Sequence, residues 1–165
     1  MKYLFVVAFI VIFISFDKSI GYTETSPLYT HFTYMFQHTG ILHLVINSIA
    51  FIGMFRSLEK CVNKWTLSVS IILTAFVTSF FSMYEIPTVG ASSMIYAAIG
   101  IFIALSSISD KIKIVDRRKY ALFILAVILS LTVSGFKPNS NFWLHAYSLL
   151  FGIPIGGIIW LYNGR

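Results

Sequence analysis

Four polar residues stand in stretches that are otherwise apolar. Ser92 lies in Gly90-Ala91-Ser92-Ser93, and His145 in Trp143-Leu144-His145-Ala146. His43 and Asn47 lie in His43-Leu44-Val45-Ile46-Asn47. Such groups are costly in lipid, face the interior of a helix bundle and usually mark a working site. A nucleophile, a base and two hydrogen-bond donors are the parts of a serine hydrolase. Each residue alone has a plainer reading. A serine in a membrane helix usually bonds back to its own backbone, and a histidine or asparagine can simply join two helices. Their placement relative to one another decides between these readings.

The elements that must hold them follow from composition. The 165 residues are 58% hydrophobic and only 11% charged, with a mean hydropathy of +0.85. Soluble domains carry about a quarter charged residues, so this is an integral membrane protein, and its length suits one domain. Six apolar runs are expected to span: 3–16, 39–58, 66–84, 91–107, 120–135 and 142–162. A crossing takes about 20 residues, so the first, fourth and fifth runs are short and borrow flanking residues or thin the bilayer. Helices are the default because a spanning backbone must satisfy its own hydrogen bonds. The runs also lack the alternation of barrel strands. The expected fold is an all-α bundle of six transmembrane helices with a short central fourth helix.

Charge orients the bundle. With the N-terminus inside and the spans alternating, inner segments hold Lys2, Arg56, Lys60, Lys64, Lys111, Lys113, Arg117, Arg118, Lys119 and Arg165. Only Lys18 and Lys137 fall outside, a strong positive-inside bias that places both termini in the cytoplasm. The net charge of +6 therefore reports cytoplasmic loops, not a nucleic-acid surface. Residues 111–119, which include Asp116, are read as one such loop, with anionic lipid as a secondary contact. Lys2 and the apolar run after it also fit a signal peptide, but Ser15-Phe16-Asp17-Lys18 offers no small-x-small cleavage site. Cys61 is the single cysteine, so no intrachain disulfide is expected.

In this topology the second, fourth and sixth spans all start on the outside. His43 falls in the first turns of the second span, with Asn47 one turn later on the same face. Ser92 begins the fourth and His145 the sixth. Three spans thus bring their polar groups to one depth in the outer half of the membrane, which favours the catalytic reading. Ala91, Ser93, Ala97, Ala98, Gly100 and Ala104 make the fourth span small-sided, and Gly152 and Gly156 do the same for the sixth. Small residues let helices approach closely in lipid, bringing His145 toward Ser92.

With these residues in place, the chain resembles the rhomboid intramembrane serine proteases. His38 and His43 through Asn47 are similar to the family's HxxxxHxxxN signature, and Gly90-Ala91-Ser92-Ser93 to its GxSG nucleophile motif. His145 followed by Gly152 resembles its sixth-span histidine segment, and Leu58-Glu59 a recurring feature after the second span. The resemblance runs from about residue 34 to 157 and implies a Ser-His dyad. Ser92 would attack the scissile carbonyl and His145 would move its proton. His43, Asn47 and the Ser92 backbone N–H would stabilise the oxyanion. Gly90 and Tyr96 would support the dyad, Tyr96 by packing on the histidine ring, and His38 would support the loop structure rather than act in the chemistry. His31 matches nothing and is read as interfacial. Independently of the family, all six carboxylates lie in loops or at span ends, which leaves Glu85 as the one acid candidate for a third member.

The chain also departs from the family pattern. Ser93 and Ser148 stand where glycine is usual, and Leu144 where a small residue is common; larger side chains at these contacts would widen the helix spacing or block access, and Ser93→Gly, which restores the family's usual contact, is expected to preserve or raise activity. Residues 17–37 lack the family's Trp-Arg pair. The implied partners are single-span membrane proteins, cleaved near the outer surface of a bacterial inner membrane, and lipid. No cofactor and no metal is implied, since His38, His43 and His145 have no carboxylate or cysteine beside them in the spans. The alternative is a weak or inactive rhomboid-like protein that binds membrane helices.

Overall fold

The computed structural model describes residues 1–17, 20–82, 84–108, 117–137 and 140–163. Asp110, Lys111, Lys113 and Asp116 of the expected cytoplasmic loop, and Lys18 and Arg165, lie outside the described residues. The described residues form seven helices: α1 (Lys2–Ser15), α2 (Thr30–Thr33), α3 (Ile41–Leu58), α4 (Lys64–Ser79), α5 (Ser92–Ile108), α6 (Arg117–Phe136) and α7 (Phe142–Asn163). Helices α3, α6 and α7 are long and apolar enough to cross a membrane, and α1, α4 and α5 are shorter apolar helices. The protein is a helical membrane protein with several candidate spans.

The distribution of apolar side chains argues the same way. Leu122 and Val133 on α6 are 63% and 64% exposed, and Ile14 on α1 is 76% exposed. Only Val127 and Ser134 of α6 are buried. A surface this apolar needs an apolar solvent. Inside, Phe5 and Phe9 of α1 pack on Phe51 of α3, with ring centroids 5.0 and 5.6 Å apart. Lys2 forms an ion pair with Glu59 at the far end of α3, holding its carboxyl below the usual carboxylate range.

Helix α5 is the centre, since nearly every residue from Ser93 to Ile101 is buried. It packs most extensively on α7, in parallel, and the reason is steric. A Cβ on Gly100 would collide with the Leu149 carbonyl oxygen, and one on Gly152 with that of Ala97. At Gly156 it would lie 2.7 Å from the Ala104 Cβ. Only glycine lets these backbones meet.

The third span ends sooner than expected. Helix α4 stops at Ser79, and the chain then turns, with the Phe81 N–H bonded to the Thr78 carbonyl. Residues beyond it form a cap over this end of the bundle instead. The Tyr84 carbonyl accepts from the Glu24 N–H, and Tyr22 bridges to Thr88 through two backbone bonds. The Asn141 side chain closes this cap by donating to the Tyr22 hydroxyl and the Ser82 carbonyl. His31, read as interfacial from the sequence, packs inside the protein. It is buried, stacked between Tyr22 and Phe80 with centroids 4.8 and 4.2 Å away, and bonded to Ser79. Burial pushes its imidazole below the ordinary value.

Candidate active site

Ser92 is the first residue of α5, and His145 lies in the first turn of α7. The Asn141 Oδ1 accepts the Leu144 backbone N–H at 3.0 Å, capping the start of α7 and fixing the turn that carries His145. The two helices' parallel packing then brings Ser92 Oγ to 2.8 Å from His145 Nε2. The Tyr96 ring, one turn along α5, stacks on the imidazole at 4.7 Å with an interplanar angle of 26°.

The other face of the imidazole edge is also held. His145 Nδ1 lies 2.8 Å from Ser134 Oγ on α6, and Ser134 Oγ lies 2.6 Å from Ser140 Oγ. One turn earlier on α6, Ser130 is 2.6 Å from the Tyr96 hydroxyl. If Ser92 donates to Nε2, the neutral ring carries its hydrogen on Nδ1 and donates it to Ser134. Both ring nitrogens are therefore engaged. Glu85, the acid considered from the sequence, is exposed between α4 and α5.

His43 and Asn47 sit on one face of α3 against the segment leading into Ser92. Gly90 has φ 130°, and a Cβ there would lie 2.9 Å from His43 Cε1, 3.0 Å from Nε2 and 3.4 Å from Asn47 Nδ2. Gly90 thus supplies both a backbone turn that side chains rarely adopt and the space for these two groups beside the chain. The Thr39 N–H donates to His43 Nδ1 at 3.4 Å, which leaves the hydrogen on Nε2, the atom against Gly90. Asn47 is buried, and its Nδ2 has no hydrogen-bond partner among the described residues. A buried donor without a partner costs about 1–3 kcal/mol, and both ring nitrogens of His38 are likewise without a partner among the described residues. His38 is buried between Phe9 and His43, with centroids 5.4 and 5.1 Å away. It precedes α3, so it reaches His43 without sharing a helix face.

Two of the departures from the family pattern, Ser93 and Ser148, bond to residues outside the α5–α7 seam. Ser93 is fully buried and accepts from the Tyr34 hydroxyl at 2.8 Å. Ser148 is fully buried 2.9 Å from Thr78 Oγ1 on α4. Leu144 is buried in the core. The residues that the sequence did not single out are Ser130 and Ser134. Their four-residue spacing in an apolar run was a signal, but neighbouring Thr132 shows the ordinary fate of such hydroxyls, bonding back to the Ile128 carbonyl.

Ser92, His43, Asn47, Tyr96, Ser134 and His145 all line one cavity of about 1290 Å³. It runs between α3 and α6 with α5 as its floor, from Thr39 and Lys137 at one end to Ser57 and Lys119 at the other. Compared with known families, residues 25–162 match the rhomboid domain. No curated protein matches the chain.

Proposed function

The chain belongs to the rhomboid family, and we propose that it is a serine endopeptidase that cuts single-span membrane proteins within the membrane, near the outer surface. The observation that carries this reading is the 2.8 Å contact between Ser92 Oγ and His145 Nε2, in the wall of a cavity of about 1290 Å³. The same reading takes α1 and α3–α7 as six spans of a cell inner membrane, with both termini in the cytoplasm.

The steps follow from the geometry. Ser92 Oγ attacks the scissile carbonyl carbon while its proton passes to His145 Nε2. The carbonyl electron pair moves to oxygen, where His43 Nε2–H, Asn47 Nδ2 and the Ser92 N–H are the donors. The C–N bond then breaks, and His145 delivers its proton to the leaving amine. Water repeats the sequence on the acyl-enzyme, with His145 again as base and Ser92 as the leaving group. A helical peptide bond is shielded by its own turn, so the substrate must unwind locally, and helix-weakening small residues near the outer boundary favour cleavage.

The test is cleavage of a generic single-span reporter by purified protein in liposomes. The wild type is expected to cut and Ser92→Ala to be inert. A folded Ser92→Ala protein cutting at the wild-type rate removes the assignment. Reaction of the wild type with a fluorophosphonate probe, lost in Ser92→Ala, separates the protease from a non-catalytic helix binder.

A further inference from the structure

We infer that Ser134 on α6 is a positioning residue for His145, taking the place at Nδ1 that an acid holds in other serine proteases; this rests on the protease reading above. A base that must accept a proton at Nε2 has to carry its own hydrogen at Nδ1, and that tautomer is favoured by an acceptor at Nδ1. Ser134 Oγ is 2.8 Å from Nδ1. A hydroxyl can also donate, so by itself it leaves the tautomer open. The contact on the other side of the ring supplies the direction: with Ser92 Oγ donating to Nε2 at 2.8 Å, the ring hydrogen sits on Nδ1 and Ser134 Oγ is its acceptor. Ser140 Oγ, 2.6 Å from Ser134 Oγ, gives the Ser134 hydroxyl a second partner away from the ring.

Two further observations set Ser134 apart from an ordinary helix serine. It is, with Val127, one of the two buried residues of a helix otherwise turned outward. Its hydroxyl points away from its own helix, to α7 and the segment before it. Ser130 adds a second point of attachment from the same face, bonding the hydroxyl of Tyr96, whose ring lies flat on the imidazole. Helix α6 therefore fixes the edge of the His145 ring through Ser134 and its plane through Ser130 and Tyr96. When Nε2 takes the Ser92 proton, the N–H at Nδ1 becomes part of an imidazolium, and its bond to Ser134 strengthens. No covalent bond to Ser134 is made or broken.

The experiment compares Ser134→Ala, Ser134→Cys and Ser134→Thr with the wild type. It reads reporter cleavage in liposomes and the rate of Ser92 labelling by a fluorophosphonate, a reaction that needs the nucleophile and base but no substrate helix. Ser134→Ala is expected to lower kcat and the labelling rate about 10- to 100-fold, the scale of one hydrogen bond to a charged group. KM should stay within about twofold. Ser134→Cys keeps the packing but is a weak acceptor, and should be slow as well, which decides the matter even if the alanine variant folds poorly. Ser134→Thr keeps the hydroxyl and should recover most of the rate. Wild-type labelling by Ser134→Cys, or equal losses in the Cys and Thr variants, overturns the role of Ser134 and leaves the protease reading standing. A wild-type protein that neither labels nor cleaves sinks the protease reading itself.

Discussion

At His145 both ring nitrogens are engaged, one by Ser92 and one by Ser134, and this decides how the site answers to acid, to chelators and to mutation. Protonation of Nε2 removes the only acceptor for the Ser92 proton. Cleavage is therefore expected to be present above the His145 titration and lost below it. Chelators should leave the rate unchanged, because neither nitrogen is free to hold a metal. On the proposed mechanism Ser92 and His145 act as one unit, so Ser92→Ala and His145→Ala should each abolish cleavage, with the double variant scarcely worse. A double variant whose loss is the product of the two single losses would separate them. The oxyanion donors behave differently, because their bonds tighten only as charge develops. Asn47→Ala is expected to lower kcat about 10²- to 10³-fold, the scale of one donor in a preorganised site, with little change in KM. His43→Ala should act in the same sense. Loss of both leaves the Ser92 N–H, so some turnover above Ser92→Ala should survive. Steady-state kinetics on the reporter reads both, and wild-type turnover in the double variant removes the pair from the mechanism.

Helix α5 joins these residues through the seam it shares with α7, and that seam was legible in advance. Gly100, Gly152, Gly156 and Ala104 are small in the sequence because two backbones must meet there. What the sequence could not give was where the larger departures point. Ser93 and Ser148 face Tyr34 and Thr78, so Ser93→Gly would remove a buried partner of Tyr34 rather than relieve a clash. A change inside the seam is another matter. The Cβ of Gly152→Ala would meet the Ala97 carbonyl oxygen, and backbone cannot yield as a flexible side chain can. The variant is expected to lose about 1–3 kcal/mol, the usual range for overpacking, and to part Ser92 from His145. Unfolding in mixed detergent micelles measures the first, and fluorophosphonate labelling the second. Wild-type values for both would mean that the seam tolerates a wider spacing than its glycines imply.

Over the whole molecule, lipid makes some features readable and hides others. Apolar runs and charge asymmetry are properties of a segment, so the helices fell close to their expected bounds, apart from the early end of α4. A serine's partner is a property of the folded bundle, so Ser134 with His145 and Asn141 with Tyr22 were not visible from their own segments. Orientation combines both kinds of information. Lys2 pairs with Glu59, which puts the start of α1 and the end of α3 on one side. Ser57, near that same end of α3, shares one end of the cavity with Lys119 at the start of α6. The basic residues Arg56, Lys60, Lys64, Arg117 and Arg118 flank these helix ends. Thr39 and Lys137 occupy the opposite end of the cavity. On the proposed orientation, which follows the positive-inside rule, the basic end faces the cytoplasm and the Ser92 end the outside. In intact cells lacking Cys61, Thr25→Cys and Lys137→Cys are expected to react with an impermeant thiol reagent. Both positions are exposed at the end opposite the basic one. Lys60→Cys, equally exposed but at the basic end, should react only after the membrane is opened. Labelling of Lys60→Cys in intact cells, with Thr25→Cys silent, would invert the bundle and put the Ser92 cleft on the cytoplasmic side.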